Sequence, residues 1–152
     1  MDLSGDLTLR PRSTGQDELC SEVLLAGHPC GTVVSGQVLE AAVRCPGGWL
    51  LFVTDGVPFE DMLSVHLLNR EGRLLDSARI GGPYTTGSFA NLRLEPPGTV
   101  HFDFIDNARW SVRLLQQPRP ALPWLPDMPG VWRGPRLQRH FEIHRDPIPT
   151  AS

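Results

Sequence analysis

The fold class of this chain is decided by one stretch of its sequence, VLEAAVRCPGGWLLFV at residues 38–53. Apolar side chains recur at every second position before the CPGG turn, and an unbroken apolar run follows it. Alternation with a period of two is typical of a β-strand with one buried face, whereas an unbroken run is typical of a strand buried on both faces. A two-residue loop places Val43 opposite Leu50 and Ala41 opposite Phe52. We therefore expect an antiparallel hairpin whose second strand is central in its sheet.

The same alternation recurs along the rest of the chain between turns rich in Gly and Pro. It predicts further strands at residues 61–68, 73–80, 88–95, 100–104, 110–114 and 137–145. In the last hairpin, a three-residue loop at 106–108 pairs Phe104 with Trp110 and His101 with Arg113. These patterns predict a mainly β protein, an antiparallel β-sandwich or open barrel of about eight strands.

One short N-terminal helix is predicted at residues 13–27, although residues 23–26 could also form a strand. The apolar residues 19, 20, 23 and 24 fall on one stripe of a helix with 3.6 residues per turn. Gly27 suits the position just after a helix, and Pro29 prevents continuation.

Composition indicates a soluble, single-domain protein that spans residues 1–152. The chain has 40% hydrophobic residues and a formal net charge of −3, and it contains no apolar run near the ~18 residues of a membrane span. Its first residues lack the pattern of a signal peptide, and its three cysteines form no C-x-x-C pair. We therefore expect a cytoplasmic protein with reduced thiols. The absence of lysine beside 14 arginines is typical of a GC-rich bacterial genome.

Charge is distributed unevenly along the chain. Residues 1–106 carry 7 arginines against 14 carboxylates, whereas residues 107–152 carry 7 arginines against 3 carboxylates. Within the basic part, six prolines at 118–135 predict an extended arm that packs on or beside the domain. Trp and Arg are enriched at interface hot spots, although the arm tryptophans could equally cover an open sheet edge. The predicted binding surface consists of Trp124, Trp132, Arg109, Arg113, Arg133 and Arg136.

These features favour a non-enzymatic binding module, because no nucleophile–base pair or acid pair can be assembled from the sequence. We expect a protein partner with an acidic surface, and the roles considered are inhibitor, immunity protein and accessory subunit. A second copy of the chain is the other partner considered. Aromatic and basic residues also suit single-stranded nucleic acid, but a sequence pI near 5.9 and the lack of lysine disfavour that partner. No cofactor is expected for this function.

The alternative is a metal-dependent or small-ligand-binding β-barrel. The segment PPGTVH at residues 96–101 resembles the P-x-G-x-x-H motif of the cupin family, although Ile105 stands where that motif has Asn. The resemblance implies that His101 is a metal ligand on a barrel strand. Alternation places His101 and Asp103 on one face of their strand, and it places His140 and His144 on one face of another strand. In this alternative, these four residues would hold a divalent transition metal.

Overall fold

The computed structural model describes residues 1–12, 19–56, 62–81, 88–105, 108–120, 131–133 and 138–146. Within these ranges all of the regular secondary structure is β-strand, and the strands form three antiparallel sheets. The prediction of an antiparallel β-sandwich is confirmed, although the described residues form thirteen strands rather than about eight. The described residues include no helix that could span a membrane.

The central sheet has six strands in the order β1-β5-β6-β7-β8-β12. Their bounds are β1 Asp2–Leu3, β5 Val38–Cys45, β6 Gly48–Thr54, β7 Leu63–Asn69, β8 Leu74–Ile80 and β12 Val131–Arg133. In the β5–β6 hairpin Val43 pairs with Leu50 and Ala41 pairs with Phe52, so the predicted register is confirmed. Strand β6 has a hydrogen-bonded neighbour on each side and is buried on both faces, as its unbroken apolar run predicts.

A four-stranded sheet covers one face of the central sheet. Its order is β13-β11-β10-β9, with bounds β9 Ala90–Glu95, β10 Thr99–Phe104, β11 Ala108–Pro120 and β13 Gln138–Arg145. The large aromatic residues Phe102, Trp110 and Phe141 point from this sheet into a core shared with Phe52 of β6. The rings of Phe52 and Phe102 meet edge to face with centroids 5.2 Å apart, a favoured aromatic geometry.

A three-stranded sheet covers the opposite face of the central sheet. Its order is β2-β3-β4, with bounds β2 Leu7–Arg12, β3 Cys20–Leu25 and β4 His28–Ser35. Its inward residues Leu7, Val23 and Val34 form a second core with Leu51 and Val53 of β6. The described chain is therefore a sandwich of three layers, and the central sheet contributes to both cores.

The helix predicted at residues 13–27 is wrong where the structure describes it, because Cys20–Leu25 is strand β3. Residues 13–18 lie outside the described ranges. Ser21 and Val23 are both fully buried, as alternation on a strand requires, and β2 and β4 supply backbone partners on both sides. Ala26 and Gly27 have φ of 49° and 81°, and they form the tight turn of a hairpin instead of a helix end.

The predicted register of the β10–β11 hairpin is wrong by two residues. Phe104 pairs with Ala108 and Phe102 pairs with Trp110, so β10 ends at Phe104 and β11 begins at Ala108. Ile105 adopts a φ of 50°, and its carbonyl accepts a hydrogen bond of 3.0 Å from the Ala108 amide. A shift by two keeps every side chain on its predicted face, and the core composition is therefore unchanged.

The Pro-rich segment is described only in part. Strand β11 extends through residues 118–120 and pairs there with β13, while β12 lies along the edge of β8. Residues 121–130 and 134–135 of the segment lie outside the described ranges. Val131 is buried in the first core, so this short strand both adds hydrogen bonds to the β8 edge and contributes to the core.

Candidate functional site

Strand alternation determines which side chains of the four-stranded sheet point away from the core. Phe102 and Trp110 are buried against the central sheet, so their neighbours on the same strands point outwards. Three of the arginine side chains on this outer surface are between 46% and 58% exposed. The surface is called here the arginine face, and it is defined by Arg93, Arg109, Arg113 and Arg119, two of which belong to the predicted binding surface.

One carboxylate on the arginine face serves several cationic groups. Glu142 of β13 lies directly opposite Arg113 and forms ion pairs with both Arg113 and Arg119. The Nε2 atom of His144 lies 3.3 Å from the same carboxylate. Because Glu142 is mostly covered by these groups while both guanidinium groups are exposed, this part of the surface presents positive charge to solvent.

The other half of the arginine face contains two smaller polar clusters. Asp103 accepts a hydrogen bond of 2.7 Å from the Asn91 amide and lies 3.5 Å from the guanidinium group of Arg93. His101 lies 2.5 Å from the carboxylate of Glu95, and its backbone is paired with Ser111 of β11, not with Arg113 as its predicted register implied. These contacts engage His101 and Asp103 with different partners.

The four residues of the predicted metal site are not brought together. His101 and His144 both pair with Ser111, from opposite sides, so two strand spacings of ~4.8 Å separate their backbones. The backbone amide of His140 donates to Asp76 of β8 in the central sheet, whereas Asp103 contacts Asn91 and Arg93. No group of three His, Cys, Asp or Glu side chains within the described ranges could hold a metal ion. The residues that the structure describes therefore do not fit the transition metal of the cupin resemblance.

Arg133, another residue of the predicted binding surface, is buried instead of exposed. Its side chain is 10% exposed and its Nη1 atom lies 3.0 Å from the carboxylate of Asp76, which is 3% exposed. It also donates a hydrogen bond of 2.7 Å to the Phe141 carbonyl and stacks 4.5 Å above the Phe141 ring. Arg133 thus connects β12, β8 and β13. Trp124 and Arg136 lie outside the described ranges, and the backbone of Trp132 pairs with Arg79.

A second candidate site is a cleft between the central and four-stranded sheets, at the end where the β5–β6 and β9–β10 turns lie. Its volume is about 820 Å³, which lies within the ~300–1,000 Å³ range of small-molecule sites. We call it the end cleft. It is lined by Cys45, Pro46, Gly47, Gly48, Leu67, Leu75, Pro97, Gly98, Thr99, Arg113, Leu114, Leu115, Gln116, Pro118 and His140.

The end cleft combines apolar walls with a few polar groups. Burial raises the pKa of the Cys45 thiol to about 11, although a hydrogen bond from the Leu50 backbone acts in the opposite direction. Cys45 is therefore a neutral thiol near pH 7 and adds an apolar surface to the cleft, not a nucleophile. Arg113 belongs to both the end cleft and the arginine face, so the two candidate sites are adjacent.

A buried polar network that the sequence analysis did not identify lies on the other face of the central sheet. The Nε2 atom of His66 donates to the Ser35 carbonyl at 3.1 Å, so its Nδ1 atom accepts from the Ser77 hydroxyl at 2.7 Å. Ser35 and Ser64 also share a hydrogen bond of 3.0 Å. The network joins β4 to β7 and β8, and it therefore links the three-stranded sheet to the central sheet. Alternation along the predicted strand at residues 61–68 cannot identify the partners of His66, because they lie on other strands.

Comparison with protein-family models, with curated proteins and with solved structures found no match. The class of this protein is therefore defined by its own geometry. It is a three-layer antiparallel β-sandwich that carries an arginine face on one outer sheet and an apolar cleft at one end.

Proposed function

We propose that this chain is a non-enzymatic binding module whose arginine face binds an acidic segment of a partner protein. One observation carries the proposal: among the described residues, four arginines share a single sheet face with three carboxylates, which belong to Glu95, Asp103 and Glu142. In the rest of the chain, ten arginines are outnumbered by fourteen acidic residues. The arginine face is therefore a cationic surface on an otherwise acidic protein.

This charge distribution supports a protein partner. Guanidinium groups bind carboxylates through paired hydrogen bonds, and a cationic patch increases the rate of encounter with an acidic partner. The negative charge of the rest of the chain would repel a long nucleic acid wherever it extended beyond the face. Inhibitor, immunity protein and accessory subunit are the roles that such a module could fill. The proposal includes a cytoplasmic location, and the free cysteines Cys20, Cys30 and Cys45 support it.

The proposal can be tested by fluorescence anisotropy with a labelled ten-residue glutamate peptide and the matching glutamine peptide. We expect salt-dependent binding of the glutamate peptide alone. A variant with glutamine at all four positions of the arginine face should lose about thirtyfold in affinity, since each exposed ion pair contributes ~0.5 kcal/mol. The matched control replaces four arginines elsewhere on the surface and has the same net charge: Arg10→Gln, Arg44→Gln, Arg70→Gln and Arg73→Gln.

Two results would contradict the proposal. The first is an equal loss of affinity in both quadruple variants, because binding would then depend on net charge and not on the arginine face. The second is tighter binding of a single-stranded oligonucleotide of equal charge than of the glutamate peptide, which would indicate a nucleic-acid partner.

A further inference from the structure

We propose that the end cleft binds a small molecule that has an unbranched apolar chain and a terminal carboxylate. This proposal does not rest on the binding of an acidic protein, although the two sites share Arg113. The cleft lies at the end of the sandwich, between residues of the two sheets that enclose the first core. Its volume of about 820 Å³ is sufficient for a small organic ligand.

The walls of the end cleft suit an apolar chain. Leu67 and Leu75 contribute from the central sheet, while Leu114 and Leu115 contribute from β11 on the opposite side. Leu67 and Leu114 also pack against the first core, so the cleft is a continuation of that core toward solvent. An apolar chain that entered between these leucines would be removed from water on both sides, which is the main source of affinity for such ligands.

The β5–β6 turn forms one wall of the cleft and lies directly against the end of β7. Gly48 has a φ of 147°, and a Cβ atom at this position would collide with the backbone carbonyl of Leu68. The turn can therefore lie directly against the end of β7 only because residue 48 has no side chain. Since the backbone that forms this wall is fixed by strand pairing, a ligand would not need to order it on binding.

Positive charge at the cleft favours a carboxylate as the polar end of the ligand. Arg113 lines the cleft and shares Glu142 with Arg119, so two guanidinium groups have one carboxylate between them. The Arg113 side chain meets Glu142 on the outer surface of the sheet, so a ligand carboxylate at the rim of the cleft could accept hydrogen bonds from Arg113 without removing the Glu142 contact of Arg119. His140 lines the same cleft and adds a polar group. No acidic residue lines the cleft among the described residues, so no lining carboxylate repels the ligand.

The test is isothermal titration of the full chain with hexanoic, octanoic and decanoic acids and with decan-1-ol. We expect the dissociation constant to fall about threefold to fourfold for each added CH₂ group, because each buried CH₂ contributes a constant increment. Decanoic acid should bind about tenfold more tightly than decan-1-ol. Arg113→Gln should abolish that difference, whereas Arg93→Gln, which changes an exposed arginine outside the cleft, should preserve it.

Two further variants test whether the ligand occupies the cleft itself. Leu115→Trp and Gln116→Trp each place a large side chain at a lining position, and each should weaken decanoic acid binding more than tenfold. Gln116 is exposed, so its variant keeps the test valid if Leu115→Trp does not fold. Neither variant should change binding of the glutamate peptide, which separates this proposal from the preceding one. Affinity that is independent of chain length, or unchanged affinity in a folded Trp variant, would overturn the inference.

Discussion

The buried ion pair between Arg133 and Asp76 should be among the most important polar contacts for stability. Asp76 accepts hydrogen bonds from the backbone amides of Ser77 and His140 as well as from Arg133. Arg133 in turn is held by the Phe141 carbonyl and ring. Removal of either charged group therefore leaves the other one buried without its counter-charge. The hydrogen bonds that the removed side chain makes between β8, β12 and β13 are lost as well.

The size of the effect follows from burial. With side chains 10% and 3% exposed, the pair is almost completely shielded from water. Removal of one partner of such a pair costs about 3–5 kcal/mol in the free energy of unfolding. For a chain of 152 residues this corresponds to a fall of ~6–20 °C in Tm. The exposed pair of Arg44 and Asp6, with side chains 48% and 67% exposed, should contribute only ~0–1 kcal/mol.

Urea denaturation followed by tryptophan fluorescence can measure these differences. Arg133→Met and Asp76→Ala should each be strongly destabilised, and the double variant should lose clearly less than the sum of the two single losses. Arg44→Met and Asp6→Ala are the controls and should resemble the unmodified chain. Loss of less than ~1 kcal/mol in both single variants at the buried pair, or full additivity in the double variant, would refute the reasoning.

Three further predictions concern other buried groups. Gly48→Ala should lower the free energy of unfolding by more than ~2 kcal/mol in urea titrations, because its Cβ would collide with β7, whereas Gly47→Ala has open space and should change it by less than ~1 kcal/mol. Because burial raises the pKa of Cys45 from 9.0 to about 11, its neutral thiol stabilises the fold below pH 9, and this stabilisation is lost as pH rises toward 11. Urea midpoints between pH 8 and pH 10.5 should therefore fall more steeply for the unmodified chain than for Cys45→Ala, and parallel curves would contradict this. His66→Leu should cost about 1–3 kcal/mol because two buried partners lose their hydrogen bonds, while the exposed His144→Leu should stay within ~0.5 kcal/mol in the same assay.

The part of the fold that could be predicted from sequence is the part in which local patterns agree with tertiary contacts. Around the CPGG turn, alternation, turn composition and the apolar run all require the same pairing of Val43 with Leu50, and the structure has that pairing. In the β10–β11 hairpin, alternation fixes only the faces of Phe102 and Trp110. The position of the loop depends on the φ of Ile105, which no residue preference predicts, since apolar residues rarely adopt positive φ.

The three-stranded sheet could not be predicted, because its sequence contains a conflicting local signal. Residues 19, 20, 23 and 24 fall on one apolar stripe of a helix, and Val23 also fits the period of two that is typical of a strand. A short window cannot distinguish the two periods. Strand β3 forms because β2 and β4 pair with it and because the exposed face of the central sheet needs cover. Both reasons are tertiary contacts, and a window of ten residues in the sequence contains neither of them.

The candidate site shows the same limit. Counting arginines along the sequence identified a basic C-terminal part, and Arg109 and Arg113 are indeed exposed on one face. The count could not distinguish them from Arg133, which is buried against Asp76, fifty-seven positions earlier in the chain. Arg93 and Arg119 belong to the same surface but were not part of the prediction, since strand order, and not sequence distance, brings them together. The end cleft had no sequence signal, because residues that are far apart in the sequence line it.

Strand β6 gives the molecule an unusual sensitivity to changes in chain length. Its adjacent residues Leu51 and Phe52 point into different cores, one on each side of the central sheet. Insertion or deletion of a single residue in β6 would move every following side chain of the strand into the opposite core, and both cores would be mispacked at once. In an outer hairpin, insertion or deletion of one residue would turn buried side chains toward solvent and solvent-facing side chains toward the core. Only one of the two cores would then be mispacked. Natural length variation should therefore accumulate in the outer layers and be absent from the middle of β6.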